Sequence, residues 1–218
     1  MKYLHLFWGL CLSFLFSSCL TIEENYQFNA NGSGHFEFVI DLGKMAPMFD
    51  QERTNPDSRA LRDLHLADFI GPLERINGIR NVAANEDFSA YRFRLAMDFD
   101  HLMALNQALN VLLQEEENRG FHVYFAQKED VLVSTHKLGR TTMAESLLTD
   151  PALTDQAQEI LRSMAYRVSY QFKKPIRVAY TTLPLQASDK KKRMIHLETD
   201  FYELLQNQKV LDASIRMR

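Results

Sequence analysis

Seven histidines, two cysteines and 28 acidic side chains are foremost among the groups in this 218-residue chain able to bind a metal, attack a carbonyl or move a proton. Cys11 lies inside an apolar run from Leu4 to Phe16, and Cys19 stands at the seam between that run and an alternating stretch beginning at Ile22. Past residue 18 the imidazoles are His35, His65, His101, His122, His136 and His196, and none falls in an H-E-x-x-H or comparable ligand spacing. Asp98, Asp100 and His101 come nearest to a cluster, two carboxylates and an imidazole at a strand end. The same positions suit the start of a helix, and the aspartates are read as its caps. No P-loop, dinucleotide fingerprint, G-x-S-x-G elbow or kinase set occurs. Carboxylates are numerous enough for a glycosidase-type pair, but no spacing singles one out. The reading is of no metal, no cofactor and no catalytic residue.

The elements that must position these groups follow from the apolar periodicity. Ile22, Tyr26 and Phe28 alternate with polar residues, as do Phe36, Phe38, Ile40 and Leu42, and Asn29-Ala30-Asn31-Gly32-Ser33-Gly34 between them predicts a β-hairpin. Leu61, Leu64, Phe69, Ile70, Leu73 and Ile76 keep helical spacing, with Ser58 as N-cap and Asn77-Gly78 as the stop. A short strand is expected over 79–84. A clearly amphipathic one follows through Tyr91, Phe93, Leu95, Met97 and Phe99, alternating with Arg92 and Arg94. Leu102, Leu105, Leu109 and Leu112 then mark a helix ending near the Glu115-Glu116-Glu117 run, and 121–127 reads as the next strand, paired with 131–135. From Phe36 to Phe125 the order is β-α-β-β-α-β, which resembles a ferredoxin-like sandwich. Farther on, Thr142-Met143-Ala144-Glu145 is a capping box and Asp150-Pro151 opens a short helix to about Met164. Strands are expected at 166–172, 176–180, 194–197 and 210–215, with Asp200 as the acidic cap of a brief helix at 200–205. The clean alternation points to an α+β fold, an antiparallel sheet with helices on one face and the other face wet. Residues 19–135 form its α+β domain, and 136–218 a helical segment and β-rich extension packed on it.

The front of the chain has a different purpose. Lys2 and the amine precede the apolar run, which is the length of a signal-peptide h-region and short of the roughly 20 residues a spanning helix needs. Leu15-Phe16-Ser17-Ser18-Cys19 then resembles the lipobox of bacterial lipoproteins, with Phe16 where leucine is commoner. The resemblance implies a diacylglycerol thioether on Cys19, cleavage between Ser18 and Cys19 by signal peptidase II, and acylation, such as palmitoylation, of the new amine. Small side chains at Ser17 and Ser18 let an extended backbone enter a peptidase cleft. With residues 1–18 removed and Cys19 lipidated, the domain keeps no free thiol for a disulfide, a metal or a nucleophile. Two or three acyl chains, at about 0.8 kcal/mol per buried methylene, hold firmly. Leu20, rather than aspartate, after the cysteine implies the outer membrane over the inner. Glu23 and Glu24 resemble acidic surface-export signals near an anchor, and otherwise read as solvated residues at a strand start.

The chain carries 25 basic and 28 acidic side chains; losing Lys2 leaves 24 against 28, a formal −4, with no basic surface for nucleic acid. Lys190-Lys191-Lys192-Arg193 falls in a predicted hairpin loop, where it could touch anionic headgroups or simply be solvated. The sequence thus points to an envelope lipoprotein, membrane-held through Cys19, binding an envelope protein or glycan without catalysis. Two alternatives stand beside it: a carrier or sensor of an apolar ligand, suggested by 15 Phe and 8 Tyr, and a hydrolase with an unrecognised carboxylate site.

Overall fold

The computed structural model describes residues 20–45, 65–113, 120–136, 154–184, 193–207 and 209–218. Among the described residues ten strands make two sheets. The larger has the order β3-β4-β2-β1-β7-β9, built from β1 (Leu20–Phe28), β2 (Gly34–Asp41), β3 (Ile79–Asp87), β4 (Arg92–Phe99), β7 (Met164–Phe172) and β9 (Met194–Asp200). The smaller runs β5-β6-β10-β8, from β5 (Phe125–Lys128), β6 (Val131–Ser134), β8 (Ile176–Thr181) and β10 (Ala213–Met217). The α-helices among the described residues are α1 (Ile70–Glu74), α2 (Leu102–Leu113), α3 (Thr154–Arg162) and α4 (Phe201–Gln206).

The α+β class holds, with sheet predominating. The ferredoxin-like order holds for β2, β3 and β4, and departs at the fourth strand. The place beside β2 is taken by β1, because the tight Asn29–Ser33 connection lets those two strands pair at little loop-closure cost. The displaced strand, β5, pairs with β6 in the second sheet. The large sheet is also not wholly antiparallel: β1 and β7 run parallel from Leu20↔Met164 to Phe28↔Phe172. No hairpin constrains strands so distant in sequence, so their apolar faces alone set the pairing. Residues 136–218 are likewise woven in rather than appended, giving β7 and β9 to one sheet and β8 and β10 to the other.

Alternation decides which way each strand faces. On β4, Phe93, Leu95, Met97 and Phe99 are buried while Arg92 and Arg94 are exposed. The buried faces of both sheets, with Leu105 and Leu109 of α2, form one core. Its centre is aromatic: Tyr26 meets Phe36 at 4.9 Å and Phe125 of the second sheet at 4.8 Å, and Phe28 stacks on Phe172 at 5.3 Å. The first strand after α2 is shorter than the alternation suggests, beginning only at Phe125. Side-chain amides do the pairing there: Asn110 accepts from the His122 N–H and donates to its carbonyl, and the buried Asn106 does the same to Phe125. The final strand starts at Ala213, Val210 and Leu211 being buried in the turn before it.

Of the expected helix boundaries, Asp200 is confirmed as the α4 cap, accepting from the Glu203 N–H at 2.7 Å. The helix expected to end at Asn77 is described as a 3-10 turn at Leu66–Phe69 followed by α1. Gly78 makes the turn after it at φ 91°, a conformation glycine adopts without strain. Ser58, the Glu115–Glu117 run and the Thr142–Glu145 box lie outside the described residues.

One close approach fixes the hairpin. A Cβ added at Gly34 would stand 1.9 Å from the Gln27 carbonyl oxygen and 2.4 Å from the Phe99 ring. Neither can withdraw, one being backbone and the other core. Gly34→Ala is expected to cost about 3 kcal/mol, at the upper end of ordinary overpacking. A denaturant midpoint within error of the parent would contradict this.

Candidate functional site

The outer face of the large sheet is polar, and strand register sorts its side chains into rows. Arg167 reaches Glu23 at 3.4 Å and Glu198 at 3.2 Å across β1, β7 and β9. Arg94 pairs with Glu37, and Ser169 Oγ lies 2.9 Å from His196 Nδ1. The row nearest the hairpin tip runs Asp98, His35, Gln27, Gln171 over β4, β2, β1 and β7, each residue the register partner of the next. Adjacent strands lie about 4.8 Å apart, so this row offers hydrogen-bonding groups over roughly 14 Å.

That row lines a cleft of about 280 Å3, together with Asn29, Ser33, Arg80 and Lys173. Its best-fixed part is His35, whose Nδ1 donates to Asp98 Oδ1 at 2.7 Å while Asn81 Nδ2 donates to Asp98 Oδ2 at 2.7 Å. Asn81 reaches that oxygen from a bulge in β3, where the register shifts and φ is 53°, a left-handed conformation uncommon outside glycine. The two hydrogen bonds, from Asn81 and then His35, hold the Asp98 carboxyl below the ordinary aspartate range. A carboxylate so placed fixes the orientation of the His35 ring.

The Asp98–Asp100–His101 group therefore divides, and neither aspartate caps α2. Asp98 is still on β4 and faces the outer row. Asp100 pairs with Arg80. The capping group is His101, whose Nδ1 accepts from the Ala104 N–H at 3.1 Å. Among the described residues no three His, Cys, Asp or Glu gather as a metal would require.

Sequence reasoning missed a second polar group, on the opposite face of β1. Glu24 is not a solvated strand-start residue: it is 0% exposed. It faces the core with Ile22, Tyr26 and Phe28, and that parity was the signal available. Tyr26 donates to its Oε2 at 2.6 Å, Tyr166 donates to Oε1, and His136 Nε2 lies 3.2 Å from the Tyr166 hydroxyl. Close by, Ser134 Oγ and the Tyr170 hydroxyl bond at 2.9 Å. Burial first, and the Glu24 charge second, push the Tyr26 and Tyr166 phenols well above their ordinary range. No buried side-chain nitrogen or oxygen among the described residues lacks a hydrogen-bond partner. None of this network lines the cleft, and its chemistry is structural: a carboxyl that ties β1 to β7 within the large sheet, beside a Ser134–Tyr170 bond that links β7 to β6 of the second.

Cys19 and Ser18 lie outside the described residues, as do Lys190, Lys191 and Lys192. Their neighbours are placed. Leu20, next to Cys19, is already paired in β1, at the end of the sheet away from the cleft. Arg193 lies at the cleft end, its carbonyl accepting from the Phe172 N–H at 2.8 Å, and Phe172 is the partner of Phe28. Eight residues of strand, about 26 Å at roughly 3.3 Å per residue, separate the two ends. A headgroup contact at Arg193 and an anchor at Cys19 would thus fall at opposite ends of the sheet.

No protein-family model matches the chain, and no curated protein matches it. Among solved structures it is similar to the folded domain of the Mycobacterium tuberculosis LppM protein, determined by NMR. The similarity covers 93% of this chain and 91% of that one, at 8% identity and a TM-score of 0.47, too low to speak for a shared function.

Proposed function

We propose that this chain is a lipid-anchored lipoprotein of the bacterial cell envelope, a non-enzymatic binding module that turns its cleft away from the membrane. The observation that carries this reading is where β1 begins. Leu20 is paired with Met164 of β7, and Thr21 beside it is paired on both sides, with Ala165 and Asp41. A lipid on Cys19 would therefore sit one residue from the rigid sheet, with no tether between. No helix among the described residues is long and apolar enough to cross a bilayer. Attachment by acyl chains supplies what a spanning helix would otherwise provide, and Leu20 after the cysteine favours the outer membrane.

The partner is an envelope protein or glycan, met by the Asp98–His35–Gln27–Gln171 row. The lining favours this over an apolar-ligand carrier, because Phe28, Phe99 and Phe172 reach the cleft only as buried core residues while amides, an imidazole, a carboxylate, a guanidinium and a lysine make up the rest of it. A hydrolytic reading would draw on the His35–Asp98 pair, a geometry that general bases share. The hydroxyl nearest in sequence, Ser33 Oγ, is bonded to Asn31 at 2.8 Å and Asn29 at 3.0 Å within the turn. Binding is the function this arrangement supports best.

Expressed with its own leader in a Gram-negative host, the parent chain is expected to incorporate labelled palmitate and partition into detergent. Cys19→Ser should abolish the label and leave uncleaved precursor. A Cys19→Ser chain that still takes up label would refute the anchor.

A further inference from the structure

Resting on the anchored reading above, the geometry points to a second membrane contact: we infer that the β3–β4 turn, with Phe88 at its tip, inserts into the lipid interface beside the acylated cysteine. The register places it there. Arg92 opens β4 opposite Asp41, and Asp41 is opposite Thr21, two residues from Cys19. The turn from Asp87 to Tyr91 thus lies at the anchored end of the sheet.

The turn is built to hold its tip outward. Asp87 Oδ1 accepts from the Ser89 N–H at 2.9 Å, the Ser89 hydroxyl at 2.6 Å and the Ala90 N–H at 2.9 Å. Tyr91, at φ 52°, closes the turn and accepts from the Leu42 N–H at 2.9 Å. Phe88 stands between these fixed points with its ring edge-on to Phe93 at 5.2 Å, yet 40% exposed. The exposed part of this ring can enter an interface without giving up its contact with Phe93, and aromatic side chains are enriched at membrane interfaces. Arg162 over the Tyr202 ring, 4.1 Å from its centroid, belongs to the same end, since Asp200 before it pairs with Ala165 and Ala165 with Thr21.

Charge does not drive this contact. Lys44, Arg92 and Arg162 at this end are met by Asp41, Asp87 and Asp200, with Glu86 and Glu203 close by, so no basic surface forms there. The proposed occupant is accordingly a bilayer surface irrespective of its anionic lipid content, entered by an apolar side chain. The opposite end, with Ala30 in the hairpin turn, stays in water.

The chain itself supplies a clean test. Its single tryptophan is Trp8 and its cysteines are Cys11 and Cys19, so residues 19–218 carry one thiol and no tryptophan. Among the described residues the core begins at Leu20, so the processed chain retains it. That chain is coupled through Cys19 to a maleimide lipid in phosphatidylcholine vesicles, with or without brominated acyl chains. Chemical coupling does not depend on whether a cell acylates Cys19, so failure here and failure of the lipoprotein reading are separable. Phe88→Trp, and Ala90→Trp as a second probe of the same turn, are expected to lose at least half their emission on brominated vesicles, equally with neutral and with anionic lipid added. Ala30→Trp should be unaffected. Equal emission of both turn probes on brominated and plain vesicles, or quenching of Ala30→Trp, would overturn the inference; circular dichroism establishes that each variant is folded.

Discussion

Glu24→Ala is expected to destabilise the domain by about 3–5 kcal/mol, the range for removing one partner from a buried charged network. The loss has two parts. The hydroxyls of Tyr26 and Tyr166 keep their burial, at 2% and 0% exposure, but lose their acceptor. Each unsatisfied group costs about 1–3 kcal/mol. A cavity also opens between β1 and the second sheet, where no surface loop can collapse to fill it. A domain of this size commonly has only about 5–15 kcal/mol in hand, so the variant should sit close to unfolding at room temperature. Glu24→Gln keeps the shape and one acceptor oxygen, and should cost distinctly less. Because Tyr166 and Glu24 act on each other, adding Tyr166→Phe to Glu24→Ala should cost much less than Tyr166→Phe alone. Urea unfolding followed by circular dichroism measures all four chains. A Glu24→Ala loss below about 1 kcal/mol would mean that the carboxyl does not hold the two buried phenols.

The same network sets a steep alkaline limit. Burial is the first cause, and Glu24 adds to it, of raised phenol values at Tyr26 and Tyr166; burial likewise raises Tyr170 against the opposing hydrogen bond from Ser134. An unfolded tyrosine titrates near pH 10. With the folded value above the unfolded one, the native state keeps protons that the unfolded chain has already lost. Stability is therefore undiminished below about pH 10 and falls as the pH rises from there towards the folded values. Each such phenol approaches a slope of about 1.4 kcal/mol per pH unit as the unfolded tyrosine becomes fully ionised, so three give about 3 kcal/mol between pH 10 and 11. Tyr124, pushed up to about 12 by burial and then by the Glu24 charge, acts in the same direction. Tyrosinate absorbance from these residues should appear together with loss of structure. Titration of all of them near pH 10 in a chain that remains folded would contradict the buried network.

Local chemistry made much of this fold legible. The Asn29–Ser33 hairpin, the alternation on β4, the leucine face of α2 and the Asp200 cap each follow from a few neighbouring residues, and each stands in the structure as expected. What depended on distant pairing was not legible. The parallel match of β1 with β7 joins segments with more than a hundred residues between them, and with it goes the Asp98–His35–Gln27–Gln171 row, which exists only once four strands are in register. Asp98 and Asp100 looked like caps because they precede a helix. Strand parity gave Asp98 to the sheet face, and Arg80 drew Asp100 away. Glu24 is the opposite lesson: its parity with Tyr26 and Phe28 marked it as inward-facing, while its charge suggested water. Two phenols resolved the conflict in favour of parity.

The anchor is open to one direct measurement. Protein extracted from the membrane of its own cells should show, by intact mass and fragment analysis, a chain starting at Cys19, with residues 1–18 absent and a diacylglyceryl group on the sulfur. An additional fatty acyl group on the amine would fit the same account. A membrane-bound chain with its leader intact, or with an unmodified thiol at Cys19, would contradict it.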